Sequence, residues 1–200
     1  MMYSASQFKP AITSGFSLVE TLVAISLLLI VISGPMTITA RSAKSTSFAT
    51  EQVQAFFLAQ EGVELVQKLR DDLLLANRFE LDNDQAWTVF TNLVAEPPDN
   101  PCRTGNAGCG LHWSDNTNVV DPIACAGTTC RLYYRTTNDR SRFTHTSVGT
   151  EPTLFTRRIY FTHNGDMMLV RSVVTWRTGS LISEQRVEVQ TYLYNIYPNP

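Results

Sequence analysis

The hydrophobic residues of this chain are concentrated in one run near the N-terminus. The run FSLVETLVAISLLLIVIS covers residues 16–33 and ends at the pair Gly34-Pro35. An α-helix of that length spans roughly 27 Å, which is close to the hydrocarbon thickness of a bilayer. A secretory signal would have a shorter apolar region followed by a small-residue cleavage site, whereas here the small residue Gly15 precedes the run. The pattern predicts a membrane-spanning helix that processing after Gly15 would leave on the protein.

A second helical pattern extends from about residue 42 to about residue 77. Its apolar side is broader than a single stripe, and a helix of this kind needs two partners, such as its own sheet and neighbouring helices. The core helix of an ordinary domain is the alternative. The stripe consists of Val53, Phe56, Phe57, Gln60, Val63, Val66, Leu69, Leu73 and Leu74, and it is widened by Leu58, Ala59 and Leu65.

The pair Gly34-Pro35 separates the two helical patterns. Proline removes one intrahelical hydrogen bond and clashes with the preceding turn, so a kink or local melting is expected here. The sequence therefore predicts a membrane helix at residues 16–40 and an amphipathic helix at residues 41–79.

The C-terminal part of the chain alternates as β-strands do. Residues 154–161 place Phe155, Ile159 and Phe161 on one side, with arginine and tyrosine on the other. The other predicted elements are a short strand at 131–135, an Asn-Gly turn at 163–166, a strand at 168–176, a turn at 178–180, and a strand whose inward residues are Val187, Val189, Thr191 and Leu193. An antiparallel meander at 131–200 covered by a long helix makes an α+β head.

All four cysteines lie in a turn-rich segment at about 80–130. Their clustering favours disulfides in an oxidising compartment, which places most of the chain outside the cytoplasm. Three pairings exist, and the sequential pairs Cys102–Cys109 and Cys125–Cys130 are favoured because local closure is easiest. A four-cysteine metal site is the alternative, although the gaps of six and four residues are not the two-residue spacing of zinc knuckles.

Charge is unevenly distributed along the chain, although the formal net charge is only -2. Residues 71–121 hold nine acidic residues and two arginines, whereas residues 131–186 hold nine arginines and four acidic residues. This asymmetry fits complementary faces between subunits or a basic surface for a polyanion such as DNA, with ordinary solvated surfaces as the alternative. The candidate polyanion contacts are Arg131, Arg135, Arg140, Arg142, Arg157 and Arg158.

Glu20 is the one charged residue inside the apolar run. A carboxylate costs about 2.5–3.5 kcal/mol at a bilayer centre, and no Lys, Arg or His lies between Phe16 and Ala40 to pair with it. Cleavage after Gly15 would give Phe16 a free α-amine one helical turn from Glu20, and this amine could form an ion pair with the carboxylate. The alternative is a plain single-pass anchor in which the helix dipole favours Glu20 at the interface.

The segment Gly15-Phe16-Ser17-Leu18-Val19-Glu20 resembles the type III signal of type IV prepilins, and residues 55–64 are similar to a stretch of many minor pilin-like proteins. The resemblance implies that residues 1–15 are a leader removed by a prepilin peptidase, that the Phe16 amine is N-methylated, and that Glu20 acts in assembly. It implies a pilin-like fold and a minor pilin, or a pseudopilin of a secretion system, whose partners are other such subunits.

The same resemblance implies a single-pass protein of the inner or cytoplasmic membrane with an extracytoplasmic head, found at the cell surface after assembly. The positive-inside rule predicts the opposite membrane orientation, because one basic residue, Lys9, precedes the helix and two, Arg41 and Lys44, follow it. His112, His145 and His163 lack metal-ligand spacing, and neither a phosphate loop nor a nucleophile elbow is present in the sequence. The sequence therefore predicts a structural subunit without enzymatic activity, cofactor or metal; a pilus-borne module that binds DNA or a surface is the alternative.

Overall fold

The computed structural model describes residues 15–77, 83–95, 102, 107–113, 120–125, 127, 130–136, 141–178 and 183–196. Two helices, α1 (Leu18–Asn77) and α2 (Asn83–Val94), precede the strands. The strands are β1 (Cys109–Trp113), β2 (Val120–Ala124), β3 (Arg131–Arg135), β4 (Arg142–Thr144), β5 (Glu151–Asn164), β6 (Met167–Trp176) and β7 (Gln185–Tyr194). The chain divides into two compact units, Met1–Ser47 and Phe48–Pro200.

The first unit contains the apolar start of α1, which is the one segment of the described residues long and apolar enough to cross a membrane. Its hydroxyl side chains bond back to the helix backbone, as Ser26 Oγ does to the Leu22 carbonyl at 2.8 Å and Ser33 Oγ to the Ile30 carbonyl at 2.9 Å. Such bonds satisfy hydroxyl groups that hydrocarbon could not hydrate.

The predicted local melting of the helix at Gly34-Pro35 is wrong, because α1 continues through both residues. The two predicted halves of the long N-terminal helix form one continuous helix from Leu18 to Asn77. Proline removes only one backbone donor, so only the Val31 carbonyl, four residues earlier, loses its intrahelical partner. Two hydroxyl groups in this segment also bond back to the helix backbone. Thr37 Oγ1 donates to the Gly34 carbonyl at 2.7 Å and Thr39 Oγ1 to the Pro35 carbonyl at 2.9 Å.

The second unit is built on a seven-stranded antiparallel sheet. Its longest strand, β5, pairs with β6 along one edge and with β3 and β1 along the other. The β2–β1 and β3–β4 pairs extend the sheet outward from β5, and β7 pairs with β6. The predicted meander is confirmed for β5–β6–β7, but the whole sheet is not a simple meander, because β5 lies between earlier strands and later ones.

The turn between β5 and β6 consists of Gly165 and Asp166, since Asn164 pairs directly with Met167. Gly165 has a φ of 59°, a left-handed conformation that glycine adopts without steric cost. The predicted hairpin is therefore confirmed. Of the second predicted turn, Gly179 and Ser180 lie outside the described residues.

The buried side of α1 in the second unit agrees with the predicted stripe at Val63, Val66 and Leu69 and differs from it nearer the N-terminal end of that unit. Val53, Phe56 and Phe57 are exposed, whereas the helix residues that pack inward are Ala55, Leu58, Ala59, Gly62, Val63, Val66 and Leu69. The small residues at positions 55, 59 and 62 let the helix backbone approach the sheet closely. Hydrophobicity alone favoured the phenylalanines, and the need for small residues at a close contact reversed that choice.

A polar layer separates two apolar clusters between α1 and the sheet. One cluster joins Ala55, Leu58 and Ala59 to the sheet residues Leu132, Phe155, Val174 and Trp176. The other joins Val66 and Leu69 to α2 and to the sheet residues Leu111, Ile159, Met168, Val170 and Leu193. Between them lie Gly62, Ser172 and Arg157, whose side chain is 1% exposed.

Gly62 is expected to tolerate no large side chain. A β-carbon at this position would lie 2.3 Å from Ser172 Oγ and 3.0 Å from Arg157 Cδ. We expect Gly62→Leu to lower the free energy of unfolding by about 1–3 kcal/mol through overpacking. Urea unfolding of the full chain in detergent, followed by tryptophan fluorescence, measures this. Gly34→Leu, at a helical glycine with nothing within 4 Å of the added carbon, is the matched control and should change the value by less than about 0.5 kcal/mol.

The segment predicted to be turn-rich, 80–130, contains regular structure. Helix α2 packs Trp87, Phe90 and Val94 into the core, and β1 and β2 form an antiparallel hairpin. β2 carries Pro122, which an edge strand tolerates because the missing donor lies away from the ladder. The turn-rich description is therefore wrong for α2, β1 and β2.

Both predicted disulfides are present. Cys102 bonds to Cys109 and Cys125 to Cys130, and the described residues contain no free cysteine. Cys109 opens β1 and Cys125 follows β2, so the bridges are attached to the two strands of one hairpin. Each closes a short loop against the sheet, and the sequential pairing is confirmed.

Candidate functional site

The three described residues that precede α1 are exposed. Gly15, Phe16 and Ser17 are outside the helix, and all three are exposed. A β-carbon added at Gly15 would meet nothing within 4 Å, and the Phe16 side chain is 81% exposed. The peptide bond between Gly15 and Phe16 is therefore accessible to a protease within the described part of the chain. Residues 1–14 of the predicted leader lie outside the described residues.

Ser17 occupies the N-cap position of α1. The Thr21 amide donates to the Ser17 carbonyl at 3.1 Å, which is the first intrahelical bond. Glu20 is then the third helical residue, and Ser17-x-x-Glu20 has the spacing of a capping box. This position gives Glu20 a local role, because the unpaired amides and the dipole of a helix N-terminus favour a carboxylate. This position at the helix N-terminus is a second interpretation of Glu20, beside the ion pair predicted from the sequence.

The helix that follows is apolar and uncovered in the first unit. Its large hydrophobic side chains, among them Leu22, Ile25, Leu29 and Val31, are at least half exposed. In the second unit, Phe56 is 48% exposed and Phe57 62% exposed on the side of α1 away from the sheet. Exposed apolar surface of this extent is typical of residues that contact lipid or other proteins.

No protein family, curated protein or solved structure matches this chain.

One of the candidate polyanion contacts is not on the surface. Arg157 points into the core, where Nη1 lies 3.0 Å from the Leu58 carbonyl and 2.8 Å from Glu61 Oε2. It is therefore excluded as a polyanion contact. The sequence alternation that placed this arginine on the outer side of β5 is also wrong, because Arg157 shares the inward face with Phe155 and Ile159.

Four of the other candidate arginines lie on β3, β4 and β5. Arg131 Nε donates to the Thr153 carbonyl at 2.8 Å, which ties β3 to β5. Arg135 and Arg142 are opposite each other in the β3–β4 pair, and Arg158 lies on the outer face of β5. Arg140 lies outside the described residues.

Two histidines lie near the polar layer. Thr144 Oγ1 is 3.3 Å from His112 Nδ1, and the Arg131 carbonyl is 3.2 Å from His145 Nδ1. Burial, and then the charge of Arg135, lowers the pKa of His112. Burial, and then the charge of Arg157, lowers the pKa of His145 to about 3. Both effects favour neutral imidazole, and the described residues contain no group of three His, Cys, Asp or Glu placed to hold a metal.

The Arg157–Glu61 pair was missed by the sequence interpretation. The signal for it was an arginine at an inward position of an alternating strand, between Phe155 and Ile159. A buried guanidinium requires an acceptor, and a helix that covers the sheet is the nearest source of one. Glu61, in line with the inward residues Leu58 and Leu65, was a candidate for that acceptor.

Proposed function

We propose that the chain is a minor pilin-like structural subunit of a type IV pilus or a related machine. It is processed after Gly15 by a prepilin peptidase and assembled through the N-terminal part of α1. The observation that carries this proposal is the position of Glu20 in the first turn of an exposed apolar helix that begins just after Gly15-Phe16. No ion pair to this carboxylate is formed within the described part of the chain. Processing would create the positive charge that this carboxylate lacks.

The rest of the fold supports the same proposal. The two disulfides fit a head in an oxidising compartment, and the apolar helix fits a single-pass anchor before assembly. The inward stripe of α1 contacts the sheet, and the exposed Phe56 and Phe57 face outward, so one helix has a side for its own head and a side for other subunits. An α+β layout of this kind suits a pilin-like subunit of a filament or pseudopilus.

Mass spectrometry of the protein from native membranes tests the processing step. We expect the mature chain to begin at Phe16 with a methyl group on its α-amine. A chain that still begins at Met1 would overturn the proposal, whereas a Phe16 start without methylation would support cleavage alone. Gly15→Val is expected to leave the chain uncleaved, because a branched side chain would replace the small residue before the cut.

Two substitutions at Glu20 separate the ion pair from the capping role. Gln can take the third position of a capping box, but it carries no charge. We therefore expect Glu20→Gln and Glu20→Ala to lower filament incorporation equally, by at least about tenfold, which corresponds to 1.4 kcal/mol. Incorporation is measured by immunoblotting sheared filaments against the cell fraction. Thr21→Val, which removes only the bond to the Leu18 carbonyl, is the control in the same turn. Normal incorporation of Glu20→Gln would show that the charge has no role in assembly.

A further inference from the structure

The outer face of strands β5, β6 and β7 carries a hollow of about 450 Å³. This face is opposite the one that packs against α1 in the second unit. Its lining comes from adjacent strand positions, because Thr156 pairs with Thr175 and Thr175 with Arg186, while Arg158 pairs with Val173. The remaining walls are Tyr160, Glu184 and Gly127, which lies in the loop closed by the Cys125–Cys130 disulfide. The volume is within the range of sites that hold small molecules.

The charges around the hollow leave one guanidinium without a partner. Glu188 accepts from Arg186 and lies 4.0 Å from Arg171 Nη1, so a single carboxylate serves two arginines. Arg171 also lies over the Tyr160 ring, 5.6 Å from its centroid. Among the described residues, nothing hydrogen-bonds to or forms an ion pair with the Arg158 guanidinium, and its Nε is buried without a partner. The Nε atoms of Arg157 and Arg171 are also buried without a partner, but each of those guanidinium groups has a carboxylate within 4.0 Å. Arg158 has no such carboxylate among the described residues, so it is the guanidinium that can accept an anionic group from a ligand.

The other lining groups restrict the kind of anion. Glu184 is a carboxylate at the same hollow, and it would repel a simple anion or a chain of phosphates. It would instead accept hydrogen bonds from hydroxyl groups. The hydroxyls of Thr156 and Thr175 can both donate and accept, while Val173 and the Tyr160 ring supply apolar surface. The arrangement suits a compact ligand with one anionic group, several hydroxyls and an apolar face.

We propose that this hollow binds an anionic sugar residue, with the anionic group on Arg158 and the sugar hydroxyls on Glu184, Thr156 and Thr175. Arg158 can hold a carboxylate or a phosphate in a bidentate manner. The site is on the sheet and uses no residue of α1, so the proposal does not depend on filament assembly. Its failure would leave the proposed structural function intact.

Ligand-observed NMR on the full chain, in a zwitterionic detergent without a sugar headgroup, tests the proposal. The probes are glucuronate, glucose 6-phosphate, glucose and acetate. We expect at least one of the two anionic sugars to bind with a Kd on the order of 1 mM, as its size allows, and glucose and acetate to bind at least tenfold more weakly. A preference for glucuronate would identify a carboxylate as the anionic group, and a preference for glucose 6-phosphate would identify a phosphate.

Variants locate the binding on the hollow. Arg158→Ala is expected to weaken binding of the anionic sugar at least tenfold, and Arg158→Lys less so, because lysine keeps the charge without the bidentate geometry. Arg177→Ala removes an exposed arginine just after β6, outside the lining, and should leave the Kd within about twofold. Unchanged tryptophan fluorescence shows that each variant is folded. Glu184→Gln should weaken sugar binding and leave acetate binding no weaker.

Three results would overturn the proposal. They are failure of both anionic sugars to bind, binding of glucose or acetate as tightly as the anionic sugars, and equal effects of Arg158→Ala and Arg177→Ala. The first shows that the hollow is not a ligand site. The second shows that it does not recognise charge and hydroxyls together, and the third shows that the binding is elsewhere on the surface.

Discussion

Replacing Glu61 with alanine is expected to lower the free energy of unfolding by about 3 kcal/mol, although Glu61 is the more exposed member of its ion pair. The Arg157 side chain is 1% exposed and the Glu61 side chain 37% exposed. Loss of Glu61 leaves a guanidinium charge in the core with only the Leu58 carbonyl as a hydrogen-bond acceptor. Loss of Arg157 leaves a carboxylate that water can reach.

The same reasoning predicts an asymmetry between the two partners. Arg157→Met keeps most of the buried volume and removes the charge, so it should cost less than about 1.5 kcal/mol. Glu64→Ala, at an exposed glutamate on the same helix that accepts a bond from Gln60, is the matched control and should cost less than about 0.5 kcal/mol. Urea unfolding of the full chain in detergent provides all three values. A larger cost for Arg157→Met than for Glu61→Ala would contradict the view that an unpaired buried charge dominates.

The sequence predicted the parts of the fold that depend on local residue patterns and did not predict those that depend on contacts between distant residues. Strand alternation is local, and it located β3, β5, β6 and β7 together with the turn at Gly165. The helical spacing of Trp87, Phe90 and Val94 in α2 is also a local pattern. The surrounding turn residues nevertheless led to the prediction of a turn-rich segment there. The strand order was not predictable in this way, because the pairing of β5 with both β1 and β3 depends on contacts far apart in sequence.

The side of a helix that packs inward is a tertiary property. Phe56 and Phe57 are more hydrophobic than Ala55 and Ala59, yet the alanines are buried. Backbone approach to a sheet favours small residues, and only the position of the sheet shows where that approach occurs. Similarly, α1 continues through Pro35, because a proline removes a single intrahelical hydrogen bond and the rest of this long helix keeps its own.

At the candidate processing site, the sequence predicted the position of the residues but not the role of each. The Gly15-Phe16…Glu20 pattern predicted chemistry at the start of an apolar helix, and the helix begins at Leu18, within that pattern. The sequence could not separate capping from ion pairing at Glu20, because the same residue spacing serves both. It also did not identify the hollow beside Arg158, since that site is assembled from three strands and a disulfide loop.

Acidification is expected to destabilise the head through His145. His145 is 8% exposed, and its Nδ1–H donates to the Arg131 carbonyl, while Nε2 has no hydrogen-bond partner among the described residues. Burial, then the positive charge of Arg157, lowers its pKa from 6.5 to about 3, and His112 acts in the same direction. The unfolded chain therefore binds a proton at a higher pH than the folded chain does. The resulting stability is complete above pH 6.5 and is lost as the pH falls toward 3, by up to about 4–5 kcal/mol.

His145→Asn isolates this contribution from the carboxylates that titrate over the same range. Asparagine can keep the donor to the Arg131 carbonyl, but it cannot take up a proton. Urea unfolding at pH values from 7 to 4 should therefore show a shallower loss of stability for His145→Asn than for the unsubstituted chain, with the difference increasing steadily below pH 6.5. His163→Asn, in the β5–β6 hairpin away from Arg157, is the matched control and should follow the unsubstituted chain. Parallel acid profiles for His145→Asn and the unsubstituted chain would mean that protonation of this imidazole does not limit the acid stability of the head.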